Sequence, residues 1–299
     1  MGLGKLETRK LSTKKCLLLH GIGEVLGNFI PESVVDQGLS QCSDLDFVGH
    51  ILKKYYLPNR ITPQSIMDLV EKNLKSCKDK QVHIITRSHP DWPISLQILK
   101  DQPYALFHTG QIGNFPRIAL IGSRQASRES LEEASKLGYF LAKAGYCVVS
   151  GGAIGCDIAS HLRLSESKLS QMAMVILPGG ILNPYPRLHQ PIFANISLNG
   201  GAIVTERLMD HRPTPRDFIF RNRLLVALSD VIVLIQGDER SGSSATIRMA
   251  LNYGKEIYVS KNSLFDSPLG QRLVAEGAKL IESRHISRLY QYSSSISYL

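Results

Sequence analysis

An α/β fold, with a doubly wound and mostly parallel sheet behind a small all-α N-terminal domain, is predicted by three features of the sequence. From residue 82 onward nine short apolar runs recur: VHIIT, YALF, RIALIG, YCVVSGG, MAMVILPGG, GAIVTE, VIVLIQG, EIYVS and AKLIES. Most are unbroken rather than alternating, as strands covered on both faces are. Helical patterns lie between them, and strand–helix alternation at this spacing builds a parallel sheet flanked by helices.

The first 80 residues read as helical. Leu17-Leu18-Leu19-His20-Gly21-Ile22-Gly23, followed by Val25 and Leu26, has the form of a helix-hairpin-helix turn, which offers backbone amides to a phosphate without reading sequence. The same residues also suit a plain tight turn. Phe47, Val48, Ile51, Leu52 and Tyr55 share one helical face. Thr62-Pro63 is an N-cap with proline at the first helical position, and Ile66, Leu69, Val70 and Leu74 continue that helix until Lys78-Asp79-Lys80. Beyond the boundary, residues 127–144 carry Leu131, Ala134, Gly138, Leu141 and Ala142 on one face. Ser130 and Glu133 suit a capping box there, and Gly145 stands where a C-cap glycine belongs. The expected organisation is a helical domain over 1–85, a core over 86–285 and a Ser- and Tyr-rich tail over 286–299.

Composition narrows the function. The chain of 299 residues carries a net charge of +9, which predicts anionic partners. Its five cysteines include no CxxC pair, which fits a reducing compartment and argues against a zinc site or a disulfide framework. The charged N-terminal residues have no apolar core, so no signal peptide is expected, and no apolar run is long enough to span a membrane. A cytoplasmic location is the expectation.

Ligands of such sheets bind at the carboxyl ends of the strands. Four glycine-rich stretches fall there: Gly122-Ser123-Arg124, Ser150-Gly151-Gly152-Ala153-Ile154-Gly155, Pro178-Gly179-Gly180 and Ser241-Gly242-Ser243-Ser244. Glycine lets a backbone approach a phosphate, and helix N-termini favour anions. Neither GxGxxG nor GxxxxGK[ST] occurs, so an extended anion cradle is expected rather than a dinucleotide or P-loop pocket.

The stretch Arg207–Arg223 adds five arginines against Asp210 and Asp217, with Phe218 and Phe220 interleaved. Basic residues beside an aromatic hold single strands, the charge tracking phosphates while the ring stacks on bases. Phe220, Leu224, Ala227 and Leu228 share one face of a helix expected to begin near 220, so Phe220 is expected in the core and Phe218 free for stacking. If the segment before that helix is extended, Arg216 and Phe218 face the same way. Asp157 and His161, one helical turn apart, read as a structural pair, and Glu206 is the one carboxylate at a strand end suited to acid–base work. No catalytic residue, metal or cofactor is predicted; binding is favoured over turnover.

These motifs together resemble the DNA-processing protein A family (DprA, also called Smf) from about residue 17 to 285. The resemblance is carried by Trp92-Pro93 through Gly110, the GSR at 122–124, Ser150 through His161, Pro215-Arg216-Asp217-Phe218, Arg221-Asn222-Arg223, Ser241-Gly242-Ser243 and Gly270 through Ala278. It implies an extended Rossmann-like core that binds single-stranded DNA as a homodimer, protects incoming strands during natural transformation and loads the RecA recombinase. It implies that Arg124 holds phosphate, that Arg216 is the basic residue of the second site, and that Phe218 meets a base, read with one residue fewer than the family has before that aromatic. Four departures stand out. Ile154 replaces a basic residue, Gln236-Gly237 replaces Glu-Ala, Lys261-Asn262 replaces Pro-Gly, and the winged-helix domain of many members is not expected here. The alternatives are a nucleotide phosphoribohydrolase of the lysine-decarboxylase-like (LOG) group and a nucleotide-sensing domain. The former is disfavoured because Ile181-Leu182-Asn183-Pro184 follows Pro178-Gly179-Gly180 where that group has GTxxE.

Overall fold

In a computed structural model of the chain, the residues described are 11–27, 30–31, 34, 41–55, 61–261, 264 and 267–282. The expected tail at 286–299 lies outside them. The chain divides into two compact units, Met1–Ile94 with Lys100–Leu106, and Ser95–Leu99 with Phe107–Leu299.

The first unit carries α1 (Thr13–Leu26), α2 (Asp44–Lys54), α3 (Pro63–Asp79) and β1 (His83–Thr86). Each helix starts at a hydroxyl cap: Ser12 accepts from the amide of Lys15, Ser43 from that of Asp46, and Thr62 forms a capping box with Ser65. Asp44 and Asp46 in the first turn of α2, with Lys53 and Lys54 in its last, complement the helix dipole. Leu18, Leu19, Ile22, Phe47, Ile51 and Ile66 are fully buried.

The turn expected at Gly21-Ile22-Gly23 is not formed. α1 runs through it and stops at Gly27, whose φ of 64° is the left-handed conformation that ends helices. Leu17, Leu18, Leu19 and Ile22 are all buried along α1, and that burial outweighs the helix cost of about 1 kcal/mol per glycine.

The second unit is built on the end of β2 (Ala105–Thr109, of which Phe107 onward falls in this unit), β3 (Arg117–Ile121), β4 (Cys147–Ser150), β5 (Ala173–Ile176), β6 (Ala202–Thr205), β7 (Val231–Leu234), β8 (Glu256–Ser260) and β9 (Lys279–Ile281). Their order is β2-β6-β5-β4-β3-β7-β8-β9, with β2 antiparallel to β6 and the other pairs parallel. Each apolar run named above holds one strand. The helices are α4 (Arg128–Lys143), α5 (Cys156–Ser165), α6 (Gln190–Leu198), α7 (Pro215–Leu228), α8 (Gly242–Asn252) and α9 (Pro268–Ala275). Leu120, Leu137, Leu141, Val148, Val175 and Val233 meet in the core.

Two helix starts differ from expectation. The cap of α4 is Ser127, which accepts from the amide of Ser130, rather than the Ser130–Glu133 pair. α7 begins at Pro215, not near 220, because Thr214 and Asp217 close a capping box ahead of the proline. Gly145 does follow α4 with φ 94°.

Strand order reverses beside β3: the chain steps through β4, β5 and β6 on one side and β7, β8 and β9 on the other. In open sheets, ligands enter the crevice at such a switch point. The loop Gly122-Ser123-Arg124 leaves β3 there. Among the described residues, no helix is long and apolar enough to cross a membrane.

Candidate functional site

The loop after β3 is held by that after β7. The amide of Ser123 donates to the carbonyl of Gln236 at 2.8 Å, and the side-chain oxygen of Gln236 accepts from the amide of Ser127 at 2.9 Å. Arg124 is exposed at the loop's tip. Its guanidinium lies over Phe218, 5.3 Å from the ring centroid, and Tyr185 meets Phe218 at 5.1 Å with the rings at 84°. One cation and two aromatics, from two loops and the first turn of α7, therefore adjoin at the carboxyl ends of the strands.

Beneath them, Arg221 is buried against the loop after β4. Its Nη1 donates to the carbonyl of Ile176 and its Nε to Asn222 Oδ1 at 3.0 Å. A Cβ on Gly151 would stand 2.0 Å from that Nη1, so only glycine admits the guanidinium. Asp157 accepts from the amide of Gly151 at 3.1 Å. Burial raises the Asp157 carboxyl above its usual range, opposed by Arg221 and the amides of Ala153 and Gly151. Burial likewise brings Arg221 down to about 10, which leaves it charged at neutral pH; Asp157 opposes this shift and Arg124 adds to it. Ser150 Oγ donates to the carbonyl of Asp157 at 3.0 Å and accepts from the amide of Gly152 at 3.1 Å.

The start of α7 is organised around Asp217. Its carboxylate accepts from the amide of Thr214 at 2.7 Å, from Thr214 Oγ1 at 2.8 Å and from Arg207, and it contacts His211 Nε2 at 3.1 Å. Burial alone would raise Asp217, but the amide of Thr214, His211, the Thr214 hydroxyl and Arg207 together hold it below its ordinary value. Arg216 is exposed on the first turn and forms no salt bridge among the described residues.

Several expected contacts are turned inward. Arg223 is only 5% exposed and bonds Glu206, so its charge is spent inside the fold and Glu206 is not open to a substrate. Phe220 is not core. It is half-buried between the guanidiniums of Arg223, at 4.0 Å, and Arg207, at 5.0 Å. Gly151, Gly152, Gly179 and Gly180 are buried, with Gly180 packed against the backbone of Leu208 and Met209. Asn222 is half-buried and donates to Thr246 Oγ1 at 2.8 Å, while Ser241 caps α8 and bonds Ser243 Oγ at 2.7 Å; Gly242 is exposed. Asp157 and His161 do not bond one another, since the carboxylate serves Gly151 and both ring nitrogens of the fully buried His161 lack a hydrogen-bond partner among the described residues. Ile154 is half exposed and leaves its loop tip uncharged. Arg216 and Phe218 do not face the same way, because both lie on a helix, where i and i+2 diverge by about 200°. Tyr185, Asp157 as the partner of Arg221, and Gln236 were not assigned roles from the sequence. The Pro184-Tyr185-Pro186 context was the available signal for an aromatic fixed in a loop.

The family model described as DNA recombination-mediator protein A matches residues 83–291. Protein Smf of Borreliella burgdorferi is 29% identical over 217 residues, covering 72% of this chain and 67% of that protein. DNA processing protein DprA of Bacillus subtilis is 27% identical over 215 residues, 70% of this chain and 71% of its own. Among solved structures, DNA processing protein A of Helicobacter pylori, described for its single-stranded DNA binding mode, superposes with a TM-score of 0.63 at 30% identity over 71% of this chain and 96% of that one. DprA of Streptococcus pneumoniae, at 21% identity and a TM-score of 0.64 over 91% and 90%, shares the fold. With the order of motifs, the mixed sheet and a match over most of its length in agreement, this chain belongs to the DNA recombination-mediator protein A family.

Proposed function

We propose that the chain binds single-stranded DNA and acts as a recombination mediator without catalysis of its own. One observation carries the reading: exposed Arg124 lies over Phe218 at the switch point of the sheet, a cation for phosphate beside a ring for a base. Gly122, Ser123 and Gly242 line or flank the proposed path, with Arg216 as an outlying phosphate contact. Burial of Glu206 against Arg223 supports binding over nucleotide cleavage. The single-stranded DNA described for the Helicobacter pylori relative supports the choice of ligand. RecA recombinase is the proposed recipient of the strand, natural transformation the proposed setting, a homodimer the proposed form and the cytoplasm the proposed place. We also propose the domain limits 1–85, 86–285 and 286–299.

A titration of labelled single-stranded and blunt duplex oligonucleotides over a salt series tests this. Single strands are expected to bind more tightly, with log affinity falling by about 0.7 per phosphate contact per decade of salt. Equal affinity for the two forms overturns the proposal.

A further inference from the structure

We infer that Tyr185 is a second base-contacting residue, which receives the base next to the one held at Phe218. The inference rests on the single-stranded DNA reading above and adds a residue to it.

Tyr185 lies in the loop between β5 and α6, and 43% of it is exposed. A tyrosine placed for packing buries its ring and finds a partner for its hydroxyl. Tyr185 does neither: its hydroxyl has no hydrogen bond among the described residues. Its ring instead stands at 84° to that of Phe218 with centroids 5.1 Å apart, while Arg124 approaches the same Phe218 ring at 5.3 Å. Bases of a bound single strand rest on successive aromatic faces while cations follow the phosphates. Two contiguous rings beside one arginine offer places for two successive nucleotides, whereas one ring offers a place for one.

Both rings have firm mounts on the same segment. The amide of Gly180 donates to the carbonyl of His211 at 3.0 Å, the amide of Leu182 to that of Met209 at 2.9 Å, and Asn183 Nδ2 to that of Asp210 at 2.7 Å. Phe218 follows Asp217, which contacts His211 Nε2 at 3.1 Å. The Tyr185 loop and the start of α7 are thereby both fixed to residues 208–211, so the rings meet a strand with little backbone freedom left to lose.

The test measures binding of labelled oligothymidylate, and of the same oligonucleotide with abasic positions, by anisotropy over a salt series. Tyr185→Ala is expected to weaken binding by roughly 5- to 150-fold, the worth of one stacked base, without changing the salt slope. Tyr185→Phe keeps the ring and is expected to bind within about twofold of the unaltered protein. Abasic positions are expected to close the gap between Tyr185→Ala and the unaltered protein. The double variant Tyr185→Ala/Phe218→Ala is expected to bind more weakly than Phe218→Ala. If the two bind alike, Tyr185 only supports Phe218 and the inference fails. If Tyr185→Ala binds normally while Arg124→Ala and Phe218→Ala bind weakly, the inference fails and the site stands. If all three bind normally, the site itself is misplaced. Photo-cross-linking of the unaltered protein to 5-iodouracil oligonucleotides reads the same contact without a substitution. A cross-link on Tyr185 supports it, and cross-links on Phe218 alone overturn it.

Discussion

Replacing Arg124 with alanine is expected to separate affinity from stability. The side chain is exposed and forms no salt bridge among the described residues; its ring contact is the 5.3 Å approach to Phe218. A cation–π contact at an exposed site is worth about 0.5–1 kcal/mol. Against that loss, removing Arg124 relieves a like charge felt by buried Arg221. The net destabilisation is therefore below about 1 kcal/mol, a fall in Tm of no more than about 2–4 °C for a unit of this size. Binding is a different matter. A charge-assisted hydrogen bond to phosphate contributes about 1.5–3 kcal/mol, so affinity is expected to fall by roughly 10- to 150-fold. Loss of one phosphate contact also makes the salt slope shallower by about 0.7. Anisotropy titrations at three or four salt concentrations, with a thermal melt of the same sample, measure all three quantities. A variant that melts far lower yet binds normally refutes the reasoning, because it makes Arg124 a structural residue.

Other substitutions probe the parts around it. Phe218→Ala is expected to lower affinity by roughly 1–3 kcal/mol at constant salt slope, the signature of stacking; a slope that shifts as it does for Arg124→Ala marks the contact as electrostatic. Gly151→Ala places a Cβ 2.0 Å from Arg221 Nη1 and displaces the guanidinium from the carbonyl of Ile176. Losing a hydrogen bond of a buried charged group costs about 1.5–3 kcal/mol, so Tm is expected to drop by roughly 3–12 °C, and an unchanged melt removes the reason given for this glycine. His161 is fully buried, and burial depresses it from 6.5 to about 3. The unfolded chain then binds a proton that the folded one refuses. The stability tied to neutral His161 is complete above pH 6.5 and is lost as pH falls toward 3, by up to about 5 kcal/mol. Relative to His161→Leu, the unaltered protein is expected to lose Tm between pH 7 and pH 4; parallel curves contradict the assignment.

Strands were far easier to read than the devices that aim side chains. Each run such as RIALIG or MAMVILPGG is buried on both faces, and that environment admits only apolar residues, so burial writes itself into composition. Pairing direction leaves no such mark, and the antiparallel β2–β6 contact could not be read from YALF and GAIVTE. Helix starts were ambiguous where several hydroxyls compete. Ser127 and Ser130 both suit a cap, and the choice depends on which amide each oxygen reaches in three dimensions. The apparent turn in α1 misled because glycine signals both a bend and a close approach, and here packing against α3 decided for the approach.

The arginine stretch shows why the composition of a site is easier to read than its geometry. Residues 207–223 announce anion binding by charge alone, yet one helix gives its arginines different fates. Pro215, Arg216 and Ile219 are exposed at the start of α7, and from Arg221 onward the helix is largely covered. Arg221 meets the carbonyl of Ile176 on one side and Arg223 meets Glu206 on another. Those two arginines tie α7, which carries Phe218, to the ends of β5 and β6. A charge buried beside a partner organises its neighbours at a desolvation cost, and it gives nothing to a counterion-release slope. The salt dependence of binding should therefore follow Arg124 and Arg216 and ignore Arg223, whose removal should appear as lost stability because buried Glu206 loses this ion pair.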